Sequence, residues 1–268
     1  MKRVAVAFAV GAAVLGCGCL LAGAADKRQD AAEHVSQAAR RIHVAVVVGG
    51  HGGDKAFFDL FEGHGDIICT PVHLANDSEI FEDIAGWPYD VIVLYNLSSR
   101  ISEKRRANFV QLMERGLGVV TLHHAFSSYQ DWPEFSKIVG GRSFLSPTEV
   151  NGKKIRTGEK SGNRYVIHVA DKDHPVTKGV FDFELIDETY FNYHVEPDSV
   201  PLLTTDIPSS DKVVGWAHTY RKGRAVYIQA GHGPTIFQPQ HQSNTQYRRL
   251  LAQAIRWVDQ GARAGRNH

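Results

Sequence analysis

The run Ile42-His43-Val44-Ala45-Val46-Val47-Val48 leads directly into Gly49-Gly50-His51-Gly52-Gly53, and this stretch decides the fold. Its nearly continuous β-branched residues predict a strand that is buried on both faces, as in a parallel sheet. Phenylalanine and leucine residues follow at helical spacing within residues 54–63, so the glycine turn joins a strand to a helix. The stretch is therefore the first strand–helix unit of an α/β fold.

Further strands and helices continue this alternation along the chain. Residues 67–72 and 90–97 are typical of strands, and residues 102–115 are typical of a capped helix. Residues 118–122 then predict another buried strand. Alternating strands and helices of this kind predict a doubly wound, mostly parallel sheet with helices on both faces.

The second half of the chain is richer in hairpins. A Lys222-Gly223 turn joins two of its predicted strands, and an amphipathic helix over residues 245–260 closes the fold. We therefore expect hairpin additions to the doubly wound sheet. The predicted strands of this half cover residues 165–169, 183–186, 213–219 and 225–230.

Histidines stand directly after three of the predicted strands. His51 follows the first strand, His123 and His124 follow the strand that ends at residue 122, and His232 follows the last strand. Ligands of doubly wound sheets bind outside the carboxyl ends of the strands, so these side chains are candidates for a site. Glycine on both sides of His232 also permits close backbone approach by a ligand.

Composition limits the class of protein. The 268 residues include 30 Lys+Arg and 29 Asp+Glu, so the net charge is about +1, and 43% of the residues are hydrophobic. This balance predicts one soluble globular domain, which we place at residues 42–262. Nucleic acid is not expected as a partner, because phosphate binding depends on an excess of Lys and Arg. The 14 histidines are the unusual feature.

The N-terminal segment is typical of an exported protein. A basic start, an apolar run and Ala22-Gly23-Ala24 predict an export signal over residues 1–25, followed by a linker over residues 26–41. The expected location is periplasmic or secreted. In an alternative route, Val14-Leu15-Gly16-Cys17 serves as a lipobox, and Cys17 then carries a lipid anchor.

Four stretches together resemble the trehalose-utilisation (ThuA-like) family. They are GVVTLHHAF at Gly118–Phe126, the run Asp173–Gly179, the acidic-aromatic Asp187–Tyr190, and YRKGRAVYIQAGHG at Tyr220–Gly233. The family is similar in fold to class I glutamine amidotransferases. The resemblance therefore implies a flavodoxin-like three-layer sandwich.

The resemblance also allows a comparison of nucleophiles. In the amidotransferases a nucleophilic Cys follows a buried strand on a sharp turn, and its partner His lies near the end of a later strand. His123 takes the first of these positions and His232 the second. Cys69, inside a predicted strand, is typical of an inert core thiol. Amidotransferase or cysteine-protease chemistry is therefore not expected.

The candidate side chains can work in two ways. Imidazoles and a carboxylate that converge can bind one divalent metal ion. Alternatively, a His near its usual pKa of about 6.5 exchanges protons at neutral pH, and the pKa of a Glu can be raised towards neutrality. The sequence leaves both open, because no ligand motif of fixed spacing is present. We assign catalysis to His123, His232 and Glu188, substrate binding to His51, Tyr190, His124 and His194, and any metal to His51, His123 and His232.

Three of these assignments rest on strand alternation. Glu188, Tyr190 and His194 have the same parity, so they share one face of a strand that continues through them. The alternative is that Glu188 and Tyr190 form a surface pair and that His51 is an exposed loop residue.

The resemblance implies a role in sugar catabolism. We expect an exported carbohydrate-processing enzyme that acts on 3-keto glycosides, a hydrolase or lyase that uses acid–base or metal-assisted cleavage. Two alternatives stay open at this point. One is a non-catalytic sugar-binding or scaffold module at the cell surface, and the other is a hydrolase of a different small metabolite.

Overall fold

The computed structural model describes residues 40–50, 53–75, 77–98, 100–150 and 152–266. The described residues do not include the predicted export signal, and therefore not Cys17. They also exclude His51 and all of the predicted linker except its last two residues. From Arg41 onward the chain forms one compact unit.

Five parallel strands form one half of a nine-stranded sheet. β1 (Ile42–Gly49) lies between β2 (Ile67–His73) and β3 (Val91–Asn96), and β4 (Gly118–Leu122) lies between β3 and β13 (Gly223–Ile228). The order β2-β1-β3-β4-β13 places the carboxyl ends of β4 and β13 side by side.

Antiparallel strands continue the same sheet beyond β13. They are β12 (Val213–Tyr220), β11 (Val200–Thr204), β8 (Gly158–Val169) and, at the edge, β9 (Phe183–Phe191). This half contains the hairpins expected from the sequence. Two small sheets pair β5 (Gly141–Arg142) with β10 (His194–Val195), and β6 (Thr148–Val150) with β7 (Lys153–Ile155).

Four α-helices are present in the described part of the chain: α1 (Lys55–Asp59), α2 (Glu103–Glu114), α3 (Pro133–Val139) and α4 (Gln242–Arg266). The side chain of Ser102 accepts a hydrogen bond from the Arg105 N–H and caps α2, as expected. Among the described residues, none of the helices is long and apolar enough to span a membrane. Short 3-10 turns lie at Glu79–Phe81, His123–Ser127 and Pro234–Phe237.

Two hydrophobic cores cover the two faces of the sheet. Val44, Val46 and Val48 of β1 join the core that contains α1 and α4, whereas Ala45 and Val47 join the core that contains α2 and α3. Because successive residues of a strand point to opposite faces, a strand in the middle layer must be apolar throughout. The predicted α/β sandwich with a doubly wound sheet and hairpin additions is confirmed. The buried stripe expected on the last helix is present as Tyr247, Leu250, Leu251, Ala254, Ile255 and Val258.

Candidate active site

His123 lies on a sharp turn at the carboxyl end of β4. Its φ angle is 49°, in the left-handed region that residues with a Cβ seldom adopt, and its side chain is fully buried. Close packing holds the turn, because a Cβ added at Gly231 would lie 2.8 Å from the Cβ of His123. Backbone strain of this kind costs roughly 1–3 kcal/mol and is concentrated at functional sites.

The hydrogen bonds of His123 define its tautomer. Nδ1 lies 2.7 Å from the carbonyl oxygen of Gln229, which can only accept, so Nδ1 carries the proton. In the neutral ring, Nε2 then keeps its lone pair. It lies 3.0 Å from the hydroxyl of Tyr190 and 3.4 Å from Oε1 of Glu188. A histidine in this state can accept a proton or bind a metal through Nε2.

Glu188 and Tyr190 reach His123 from β9. When His123 is protonated, its Nε2–H donates to Glu188, and this hydrogen bond is the first cause of a lowered pKa at Glu188, about 2. A hydrogen bond of 2.6 Å from Ser161 Oγ adds to it. Glu188 is therefore a carboxylate at neutral pH, and its pKa is lowered, not raised towards neutrality. Burial raises the pKa of Tyr190, which keeps its proton and can donate a hydrogen bond.

His232 is the exposed member of the cluster. Its side chain is 41% exposed, and Nδ1 lies 3.9 Å from Oε1 of Glu188. The ring centroids of His232 and His123 are 5.1 Å apart. His123 therefore forms the floor of the cluster, Glu188 lies between the histidines, and His232 faces solvent.

Asp187 holds the loop that carries His232. Its buried carboxylate accepts hydrogen bonds from the backbone N–H groups of Gly231, at 2.8 Å, and His232, at 3.1 Å. A Cβ at Gly233 would lie 1.8 Å from the carbonyl oxygen of Ile186. The glycines around His232 thus make room for His123 and β9, in addition to permitting the close approach of a ligand that the sequence suggests. No sequence pattern pointed to the role of Asp187.

These residues open into a cleft of about 200 Å³. Five of the predicted catalytic and binding residues line it: His123, His124, Glu188, Tyr190 and His232. The ring of His124 packs on the ring of Tyr95, with centroids 4.6 Å apart. Glu159 is a lining residue that the sequence analysis missed. It lies opposite Tyr190 in the β8–β9 ladder, in a polar part of β8 that lacks the hydrophobic pattern of a strand. The cleft is lined by Leu97, His123, His124, Glu159, Glu188, Tyr190 and His232.

His194 lies away from this cluster. β9 ends at Phe191, and Asn192 adopts a left-handed conformation with φ of 59°, so strand alternation stops before His194. The parity argument therefore does not extend to it. His194 belongs to β10, its Nε2 lies 3.4 Å from Oε2 of Glu196, and it is not among the residues that line the cleft.

The cluster has the spacing of a metal site. One ligand atom each from His123, Glu188 and His232 lie within 4.8 Å of one another. A tetrahedral ion with bonds of about 2.0–2.1 Å needs ligands roughly 3.4 Å apart. Oε1 of Glu188 lies 3.4 Å from Nε2 of His123 and 3.9 Å from Nδ1 of His232, close to this value. The Nδ1–H of His123 on a backbone carbonyl is also the arrangement that orients metal-bound histidines. Glu188 thus joins two of the three predicted ligands.

Cys69 has the properties expected of a core thiol. It lies on β2 as a free cysteine, and burial raises its pKa to about 12. A thiol with such a pKa is protonated at neutral pH and is a poor nucleophile. Its position inside a strand also separates it from the histidine cluster at the strand ends.

Comparisons with known proteins agree with this architecture. Residues 43–258 match the family model ThuA, described as trehalose utilisation. No curated protein matches the chain in sequence. A ThuA-like protein of Parabacteroides merdae is 20% identical, with a TM-score of 0.66 over 83% of this chain and 91% of that one. A ThuA-like protein of Bacteroides uniformis is 22% identical, with a TM-score of 0.56 over 82% of this chain and 92% of that one. The predicted resemblance is thereby confirmed. The chain belongs to the ThuA family, which is associated with trehalose utilisation and belongs to the glutamine amidotransferase-like class.

Proposed function

We propose that the protein is an enzyme that cleaves 3-keto glycosides in the cleft at the carboxyl ends of β4 and β13. The observation that carries the proposal is the convergence of His123 Nε2, the ionised Glu188 and the exposed His232 in one open cleft. Family membership supports a carbohydrate substrate.

A ketone at C3 makes this chemistry accessible to ordinary side chains. It acidifies the C2–H bond, so a base removes that proton and leaves an enolate. The enolate collapses to a C1=C2 double bond as the C1–O bond breaks, and the leaving oxygen takes a proton. Addition of water, with hydroxide at C1 and a proton at C2, completes a net hydrolysis.

The side chains of the cleft have the properties that these proton transfers require. The lone pair on Nε2 of His123 accepts the C2 proton, and the nearby carboxylate of Glu188 stabilises the imidazolium that forms. The solvent-exposed His232 delivers a proton to the leaving oxygen. The hydroxyl of Tyr190, which keeps its proton, donates a hydrogen bond within the site.

The same three side chains also fit a divalent metal ion, in which case the histidines serve as ligands instead of bases. When bound, such an ion supplies Lewis-acid polarisation of the ketone oxygen. Metal analysis of the purified protein separates the two modes. A stoichiometric ion that is lost in Glu188→Gln supports the metal-assisted mode, and full turnover in metal-free protein supports the acid–base mode.

The test follows 3-keto and ordinary glycosides by NMR in D2O. Wild-type protein is expected to cleave the 3-keto substrates and to introduce deuterium at C2. His123→Ala and His232→Ala should lose about 10²–10⁴-fold in rate. His168→Ala is a matched control, because His168 is a half-exposed histidine of β8 that pairs with Asp182 outside the cleft.

Four results would contradict the proposal. Unchanged turnover in both cleft variants would remove the site, and cleavage without deuterium at C2 would remove the elimination step. Saturable binding of a glycoside with no product over long incubation would instead support the sugar-binding module. Equal turnover of ordinary glycosides would show a hydrolase that has no need of the ketone.

A further inference from the structure

A second, larger cleft lies along the outer side of α4. Its volume is about 480 Å³, and it shares no lining residue with the catalytic cleft. The first half of α4 forms one wall, and His64 from the loop before β2 forms part of the other. The cleft is lined by His64, Pro239, Asn244, Thr245, Arg248, Arg249, Ala252, Gln253 and Arg256.

Three arginines of α4 bring positive charge to this cleft. Arg256 makes a two-pronged ion pair with Asp66, at 2.7 and 2.8 Å. In the described part of the chain, no carboxylate lies within ion-pair distance of Arg248 or Arg249. Three arginines therefore line the cleft, and only Arg256 is paired with a carboxylate.

Backbone carbonyl groups hold the two uncompensated guanidinium groups in place. Arg248 donates to the carbonyl oxygen of Glu62, and Arg249 donates to the carbonyl oxygen of Gly179. A guanidinium has five N–H donors, so each group keeps donors for a ligand after this bond. Side chains that are already ordered lose less entropy when a ligand binds.

The pKa of His64 is affected by the positive charges in the cleft. Burial is the first cause that lowers its pKa, and the charges of Arg256 and Arg248 lower the pKa further, while Asp66 raises it. Its Nε2 is buried and has no hydrogen-bond partner among the described residues. An imidazole with an unused polar atom thus lies next to two cations.

We propose that this cleft binds a small molecule that carries an oxyanion group, a phosphate or a carboxylate. Arginine is suited to both, because its planar fork of N–H donors matches the oxygen atoms of these groups. The cleft is larger than the group itself and leaves room for a polar body. A nucleic acid does not fit the proposal, because the chain as a whole has a net charge of only +1.

The test measures binding of glucose 6-phosphate, glucuronate, inorganic phosphate and glucose by calorimetry at low and high salt. At least one of the anions is expected to bind, more weakly at high salt, whereas neutral glucose is not expected to bind at this cleft. Phosphate and glucuronate separate the two sources of the oxyanion. Arg249→Gln and Arg248→Gln should each weaken binding by tenfold or more, and Arg164→Gln, an exposed arginine of β8, is the control.

An NMR titration of His64 gives an independent readout that needs no enzymatic activity. An anion between the arginines offsets their charge, so the pKa of His64 should rise in the complex. Absence of anion binding at millimolar concentration, binding that neither arginine variant weakens, or equal binding of glucose at this cleft would overturn the proposal. None of these outcomes bears on the reaction proposed for the histidine cluster.

Discussion

His123, His232, Glu188 and Tyr190 could be selected from the sequence because two simple rules locate them. Ligands gather at the carboxyl ends of parallel strands, and alternate residues of a strand share a face. Asp187 and Glu159 could not be selected in this way. The carboxylate of Asp187 binds the backbone of a loop 44 positions away, and such a contact leaves no trace in local composition.

The lowered pKa of Glu188 gives the protein a defined dependence on pH. A carboxylate with a folded pKa of about 2, below its ordinary value of 4.5, stabilises the fold at pH above 4.5. This contribution is lost as the pH falls from 4.5 towards 2. From pH 6 to pH 3, the wild type should therefore lose more free energy of unfolding than Glu188→Gln does. Urea denaturation at the two pH values measures this difference. Glu159→Gln serves as the control. An equal difference at both pH values would contradict the assignment.

Gly233 is required for steric reasons that a single substitution can test. A Cβ there would overlap the carbonyl oxygen of Ile186, at 1.8 Å, and the Cα of Asp187, at 2.6 Å. Gly233→Ala should lower the free energy of unfolding by about 1–3 kcal/mol, the usual range for overpacking. Gly65→Ala is the matched control, because nothing lies within 4 Å of its added Cβ. Similar stability of the two variants would show that the loop moves freely away from β9.

At the scale of elements, the long apolar strands were predictable and the short or polar ones were not. β1 and β4 could be predicted from their continuous apolar runs, because both faces of each strand are buried. β8 begins at Gly158, seven residues before the predicted start at Tyr165, because its first part is exposed and polar. β5 and β10 are two residues each, and pairing across the fold, not local pattern, creates them.

The short helix α1 is connected to the candidate active site through aromatic packing. Asp54 caps it by accepting a hydrogen bond from the Phe57 N–H at 3.0 Å. The ring of Phe57 stacks on Tyr95 at 4.2 Å, and the hydroxyl of Tyr95 donates to the carbonyl oxygen of Gly231 at 2.8 Å. The N-cap of α1 therefore supports the loop that carries His232.

Loss of this cap should be measurable. Asp54→Ala is expected to lower the free energy of unfolding by about 1 kcal/mol, whereas Asp54→Asn, which can still accept the hydrogen bond, should retain most of it. Thermal and urea denaturation of the two variants provide the comparison. Equal losses in both would show that the charge of Asp54, and not its capping bond, stabilises α1.

At the scale of the whole molecule, the N-terminal sequence supports a proposal about where the protein is located. We propose export, on the basis of the basic start, the apolar run and the small residues at 22–24. Mass spectrometry of the protein from cell fractions should find a chain that starts near residue 25, or a lipid on Cys17. In the second case Cys17→Ser should move the protein from the membrane fraction. A full-length, unmodified chain in the cytoplasm would contradict export.

The candidate active site joins parts of the chain that are far apart in sequence. His123 contacts Tyr190 across 67 positions and the carbonyl of Gln229 across 106 positions. Contacts of this range form only after large loops have closed, which makes them slow steps in folding. A nascent or partly folded chain therefore has no assembled cluster of histidines and carboxylate. Reactivity and any metal affinity of the cluster arise together with the finished sheet, so either one can serve as a direct readout of complete folding.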